Sequence, residues 1–184
     1  MTHITHSPVD TSSLNVRRVS GLMLTLAVAL MSCSRSPARN REEPAPIPLL
    51  ASAAPAQAEE LVTRTNAQRV ALGLPPLARE AALMRAAQLQ ADQMAAFKTM
   101  AHDLPRATYP SLDSRLAAVG YRMRASGENV AEGYPSAAAV LAGWMTSPGH
   151  RANIVSTHFT QMGAGVATAS NGHRFHAQVF GSPR

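Results

Sequence analysis

The segment from Trp144 to Gln161 concentrates the side chains best able to do chemistry. It holds the chain's only tryptophan, a Pro148-Gly149 pair and two histidines, His150 and His158. Imidazoles serve as metal ligands or as acids and bases near neutral pH. Because proline disfavours helix at the residue before it and glycine permits a sharp turn, we expect a helix to end here. Both histidines would then lie in loops between a helix and the next strand, where binding and catalytic groups are common.

Four short motifs follow one another along the chain. His102 stands in an Ala-His-Asp stretch, and Gly127-Glu128-Asn129 is followed by Val-Ala-Glu-Gly. After Trp144 come SPGHRANI and then HFTQMGAGVA. In this order the motifs resemble the core of the CAP superfamily (cysteine-rich secretory, antigen 5 and pathogenesis-related proteins), in its bacterial branch. The resemblance spans residues 60–181.

The resemblance implies that His102, Glu128 and His158 converge in a central cavity. Many eukaryotic members carry a second glutamate three residues after a tryptophan, where this chain has Ser147. We therefore expect His150 to be the fourth polar residue of the cavity. The missing glutamate argues against a mechanism that needs two carboxylates.

Imidazoles gathered around one carboxylate suit two kinds of chemistry. His102, His158 and Glu128 could hold Zn²⁺ with one position open for water. Alternatively, a histidine and Glu128 could form a metal-free acid/base pair. The candidates are dispersed along the chain, unlike a local HExxH-type ligand pair, so their grouping depends on the resemblance. A purely structural role stays open, in which these groups are hydrogen-bonded core residues.

Other residues of the same motifs are expected to support the cavity, Trp144 among them. Asn129 should hydrogen-bond the backbone and hold the loop that carries Glu128. Thr160 and Gln161 can satisfy the start of the following strand. Arg151 could bind an anionic headgroup or form a surface ion pair.

The elements that position these groups follow from apolar periodicity and helix-end signals. We predict helices over 59–72, 80–97 and 111–119, a fourth helix capped by Ser136, a short strand over 121–125, and a hairpin of strands 162–169 and 173–181 about Asn171-Gly172. His176 in the hairpin is expected to be exposed. Helices around late-clustered strands favour an α+β domain. The resemblance sharpens this fold class to a three-layer α-β-α sandwich.

The N-terminal part of the chain, 1–58, is predicted to lie outside the domain. Residues 1–33 resemble a signal peptide, because Arg17-Arg18 precedes an apolar segment too short to span a bilayer comfortably. That segment ends in a lipobox-like sequence, so Cys33 is predicted to become a lipidated N-terminus that anchors the protein to a membrane, with Ser34 favouring outer-membrane sorting. An ordinary cleaved signal or an uncleaved anchor is the alternative. Residues 34–58, with five prolines, predict a disordered tether, which leaves 59–184 as the folded domain.

Composition excludes several classes of protein. One cysteine cannot form an intramolecular disulfide, and its place in the signal region excludes a Cys/His protease. The net charge of +6 suits anionic lipid, but there is no Lys/Arg run or aromatic ladder, so nucleic acid is a disfavoured partner. The chain also lacks a serine nucleophile elbow, a P-loop and a dinucleotide fingerprint.

Together these features predict a secreted or lipid-anchored protein of the cell envelope. We expect it to bind a lipid, glycan or protein ligand through a His/Glu-lined cavity. A hydrolase that uses Zn²⁺ or a His–Glu pair is the alternative.

Overall fold

A computed structural model describes residues 53–184, which form helices around one sheet. The helices are α1 (Ala53–Ala71), α2 (Ala81–Phe97), α3 (Leu112–Ala118), α4 (Ala137–Thr146) and α5 (Pro148–Val155), and the strands are β1 (Ala78–Arg79), β2 (Met123–Glu132), β3 (Gln161–Thr168) and β4 (Arg174–Pro183). In this part of the chain no helix has the length and apolar character needed to cross a membrane. The predicted signal peptide, Cys33 and most of the predicted tether lie outside the described residues.

The sheet separates two apolar cores. Its strand order is β1-β3-β4-β2, with β1 parallel to β3 and the other neighbours antiparallel. On one face, Leu83 and Ala87 of α2 share a core with Phe175 and Val179 of β4. On the other face, α1 and α4 supply a second core that includes Trp144. This arrangement confirms the α+β class and the α-β-α sandwich.

Side-chain caps begin three helices at or close to their predicted first residues. The Glu80 carboxylate accepts a hydrogen bond from the backbone N–H of Ala82 and begins α2. Ser111 forms a capping box with Ser114 at the start of α3, and Ser136 caps α4. These caps satisfy backbone N–H groups that have no partner inside the helix.

Helix α1 begins at Ala53, earlier than the predicted helix start at residue 59. Pro55 is tolerated there because it falls in the first turn, where a backbone N–H has no helical partner. Ala58 of α1 is buried in the apolar core. Residues 53–58 therefore belong to the folded domain, which corrects the end of the predicted tether.

Strand β2 is longer than the predicted strand over 121–125. It pairs with β4 from Met123 to Glu132, so Glu128 and Asn129 lie in a strand and not in a loop. Glycine, glutamate and asparagine have low strand propensity, which hides the strand in the sequence pattern. Pairing with β4 and the burial of Val130 and Ala131 outweigh that propensity.

A fifth helix replaces the turn predicted at Pro148-Gly149. Proline is well suited to the first helical position because its missing N–H needs no partner there. Helix α5 begins at Pro148 with Ser147 as its N-cap residue. His150 therefore lies in the first turn of a helix instead of in a loop.

Candidate functional site

His102 and Glu128 meet although they are far apart in the sequence. Glu128 extends from β2 toward the face of the sheet that α2 covers, and His102 lies in the segment that follows α2. His102 Nδ1 and Glu128 Oε1 are 3.0 Å apart. The carboxylate side chain is 3% exposed and the imidazole is 58% exposed. The pair therefore has one buried member and one that reaches solvent.

Arg115 of α3 holds the other side of the carboxylate. Its Nη2 donates to Glu128 Oε2 at 2.7 Å, and the whole arginine side chain is buried. The same guanidinium donates to the backbone carbonyl of His102 at 3.4 Å. Gln90 of α2 also donates to that carbonyl, at 3.1 Å. Arg115 and Gln90 thus fix the backbone of His102 while Arg115 fixes its partner.

Arg115 is not among the predicted site residues, although the sequence carries a signal for it. Leu112, Arg115, Leu116 and Val119 recur at the spacing of one helix face. An arginine within an apolar stripe is expected to be buried against a negative partner, because an unpaired buried charge is costly. Glu128 is that partner.

The hydrogen bond to Glu128 raises the pKa of His102. The negative charges of Glu128 and Asp103 act in the same direction, while partial burial and the charge of Arg115 oppose the shift. Because a carboxylate only accepts hydrogen bonds, Nδ1 of His102 carries the proton. The remaining nitrogen, Nε2, is then left to accept a hydrogen bond, or to donate one when the ring is charged.

A pocket of about 300 Å³ lies at the free edge of β2. Val130, two residues along the same strand face from Glu128, contributes to its wall. Met100, Tyr134 and Trp144 line it with further apolar surface, and the other lining residues are Ala131, Glu132, Gly143, Ser147 and His150. Its volume is at the lower end of the range for small-molecule sites.

His150 joins this pocket and not the hydrogen-bonded pair. Its Nδ1 is 3.0 Å from Ser147 Oγ, and its ring centroid is 6.3 Å from that of Trp144. Burial lowers the pKa of His150, and the nearby charge of His102 lowers it further. His150 is therefore a polar wall residue close to His102.

Beside the pocket, side chains from α4 and α5 hydrogen-bond to the edge of β2 that has no neighbouring strand among residues 53–184. Trp144 Nε1 donates to the carbonyl of Val130 at 3.3 Å, and Asn153 Nδ2 donates to the carbonyl of Glu128 at 3.1 Å. Asn129 Nδ2 donates to the carbonyl of His150 at 3.1 Å. Asn129 does bond to backbone, and this bond ties β2, the strand that carries Glu128, to the helix that carries His150.

His158 lies away from the other candidates, which corrects the expectation that it shares their cavity. It is exposed, and its carbonyl accepts a hydrogen bond from Ser182. The next residue, Phe159, lies over Gly127, where an added Cβ would be 2.8 Å from the ring. Successive strand residues face opposite sides, so Glu128 points to the other face of the sheet.

The remaining supporting residues have structural positions. The backbone N–H of Thr160 donates to the carbonyl of Gly181, and the Gln161 side chain accepts from the Tyr121 hydroxyl at 2.6 Å. Both therefore do help to anchor the start of β3. Arg151 is exposed on α5. His176, expected to be exposed, is fully buried in β4.

The predicted zinc ligands do not fit a metal site. Glu128 uses Oε1 for His102 and Oε2 for Arg115, while His158 is elsewhere. A structural or catalytic Zn²⁺ needs three or four protein ligands around one point. Within residues 53–184, no three His, Cys, Asp or Glu side chains are grouped to hold a metal ion.

Comparisons with known proteins agree with the fold. A model of the cysteine-rich secretory protein family, CAP, matches residues 62–180. The uncharacterized protein YkwD of Bacillus subtilis is 32% identical over 120 residues, which are 65% of this chain and 46% of YkwD. The chain thus spans less than half the length of that relative.

Two solved structures are similar to this chain. An extracellular protein containing an SCP domain from Bacillus anthracis superposes with a TM-score of 0.64 at 29% identity, over 70% of this chain and 41% of the other. An outer surface protein from Borrelia burgdorferi superposes with a TM-score of 0.63 at 19% identity, over 70% of this chain and 94% of the other. The second likeness concerns the fold alone.

Proposed function

The chain belongs to the cysteine-rich secretory protein (CAP) family, and we propose that it is an exported envelope protein that binds a ligand beside His102 and Glu128. The observation that carries the proposal is the pocket where Met100, Trp144 and His150 meet next to this pair. Ligand sites typically combine apolar walls with a few polar groups that set orientation. This pocket has that composition.

Among lipid, glycan and protein ligands, the pocket favours a small ligand with an apolar body, such as an acyl chain. Its wall includes Met100, Val130, Tyr134 and Trp144, and apolar surface of this kind gains most from burying a similar ligand. His150 and Ser147, which also line the pocket, can hydrogen-bond a polar head. A glycan would need more polar partners than this wall provides.

Export and anchoring are part of the same proposal. The apolar segment after Arg17-Arg18 supports export, and the Bacillus anthracis neighbour is described as extracellular. A lipidated Cys33 would keep the protein on the membrane, with the proline-rich residues that follow as a tether.

Trp144 gives a direct test, because it is the only tryptophan and it lines the pocket. We expect decanoate to change its fluorescence saturably, and N,N′-diacetylchitobiose to leave it unchanged. Met100→Ala should weaken decanoate binding by about 1 kcal/mol, roughly fivefold, because it removes apolar contact area.

Phe97→Ala is the matched control for Met100→Ala. The two side chains are similarly exposed, 42% and 46%, but Phe97 lines a different groove. Decanoate binding should be unchanged in the control. A response to chitobiose alone, or equal losses in both variants, would contradict an apolar ligand in this pocket.

A metal-free acid/base hydrolase is a second candidate function. It is favoured by the raised pKa of His102 and by the access of its imidazole to solvent. Under this alternative, hydrolysis of p-nitrophenyl decanoate persists in EDTA and is lost in His102→Ala. Hydrolysis that His102→Ala leaves unchanged would eliminate the alternative.

A further inference from the structure

Arg115 occupies the place that a metal ion would need. Its Nη2 lies 2.7 Å from Glu128 Oε2, inside the protein, while His102 holds Oε1 from the solvent side. A cation approaching the carboxylate would have to displace the guanidinium. The displaced arginine would then be buried without its charged partner, which is strongly unfavourable.

The charges at the site lead to the same conclusion. The guanidinium of Arg115 and the carboxylate of Glu128 cancel each other, so the pair presents no net negative charge to a ligand. Protonation of His102 would make the three groups positive overall. Hard divalent cations and Zn²⁺ prefer ligand sets that carry negative charge or free imidazole nitrogens.

One imidazole nitrogen of each histidine is already hydrogen-bonded. Nδ1 of His102 donates to Glu128, and Nδ1 of His150 is hydrogen-bonded to Ser147 Oγ. One ring nitrogen of each histidine is left, which is fewer than a stable zinc site requires.

We infer that Arg115 is the resident counter-ion of Glu128, and that it sets the specificity of this site by excluding divalent metal ions. Arg115 is then a positioning residue that acts through Glu128 and His102. The inference concerns the charged groups beside the pocket of the proposed function and does not depend on which ligand enters that pocket.

Zinc titration of the full chain by isothermal calorimetry tests this inference. Any weak response of the wild-type protein should be unchanged in His102→Ala, because exposed histidines elsewhere would cause it. Arg115→Met removes the positive charge at similar length and frees Oε2. We expect this variant to gain a weak site at Glu128 and His102 that binds one Zn²⁺ roughly tenfold more tightly than wild type.

Two further variants separate charge from shape. Arg115→Lys keeps the positive charge and should still exclude Zn²⁺. The double change Arg115→Met with Glu128→Gln removes both charges and should lose the gained zinc affinity. Circular dichroism before each titration identifies the variants that fold.

The zinc titration of the wild-type protein tests the inference even if Arg115→Met does not fold. The inference would be overturned if the wild-type chain bound zinc stoichiometrically and if His102→Ala and Glu128→Gln each weakened that binding at least tenfold. A folded Arg115→Met with no gain in zinc affinity would overturn it as well. Failure of decanoate to bind would instead count against the proposed function and leave this inference standing.

Discussion

His176 is a buried histidine whose protonation opposes folding. It is fully buried in β4, and within residues 53–184 neither ring nitrogen has a hydrogen-bond partner. Burial, with a smaller contribution from the charge of Arg174, lowers its pKa from 6.5 to about 4. The unfolded chain therefore binds more protons than the folded chain between these two values. The stability that neutral His176 provides is present above about pH 6.5 and is lost as the pH falls toward 4.

The size of this effect makes it measurable. A shift from 6.5 to about 4 corresponds to about 3 kcal/mol of unfolding free energy between pH 7 and pH 4. In urea unfolding, His176→Phe should lose less stability than wild type over this range. His173→Gln, an exposed change in the same hairpin, should behave like wild type. His102, whose pKa is raised, acts in the opposite direction, but it is present in both proteins and does not affect their comparison. Equal pH dependence of the unfolding free energy in wild type and His176→Phe would contradict the prediction.

At the residue scale, the motifs predicted the partners His102 and Glu128, which the fold brings to hydrogen-bonding distance. They did not separate His150 from His158, because nothing in the sequence shows on which face of the sheet each one lies. Arg115 was not predicted to belong to the site, because an isolated arginine in a short helix is usually solvated. Its partner Glu128 belongs to a different element, and only tertiary structure brings the two together.

Helix α2 packs directly onto the backbone of β3. A Cβ added at Gly163 would overlap backbone atoms of Leu83 and Met84, and one at Gly165 would overlap those of Ala87 and Gln88. Glycine at these positions allows the close approach of helix and strand. The position of α2 in turn sets Gln90 and the segment that carries His102.

Gly163→Ala should therefore force α2 away from the sheet. We expect a loss of about 1–3 kcal/mol in stability, the usual cost of overpacking a core. Gly149→Ala in α5 is the control, because an added Cβ there meets nothing within 4 Å. That variant should be neutral or slightly stabilised, since alanine favours helix. If thermal unfolding showed the same decrease in Tm for both variants, the result would contradict this description of α2 packing.

At the element scale, helices with clear caps were predictable and the elements around the site were less so. Ser111 and Ser136 mark helix starts by a local mechanism that sequence reveals. The length of β2 depends on pairing with β4, a strand much later in the chain, and no local signal encodes it. Pro148 is ambiguous by itself, because proline both ends helices and begins them.

At the scale of the whole molecule, the order of layers came from family resemblance, because periodicity cannot say which helices share a face. The sequence pattern alone predicted an α+β domain. The signal-peptide and lipidation predictions concern the segment 1–33, which lies outside the described part of the chain. Among these, lipidation of Cys33 determines where the domain would act.

Cys33→Ser tests the anchor in the full-length protein. We expect the wild-type protein in the membrane fraction and the variant released, because lipid modification requires the thiol. Ser32→Ala, which keeps a small residue before the cysteine, should remain with the membrane. Unchanged partitioning of Cys33→Ser would contradict lipid anchoring.

We propose above all that an apolar ligand binds beside the His102–Glu128 pair without a metal ion. The most direct measurement is the single indole N–H signal of Trp144 in an ¹H–¹⁵N spectrum, followed during a decanoate titration in EDTA. We expect a saturable shift of this signal, together with a shift of the Met100 methyl signal in a ¹H–¹³C spectrum. Shifts confined to other residues, or a Trp144 shift that appears only when Zn²⁺ is added, would contradict it.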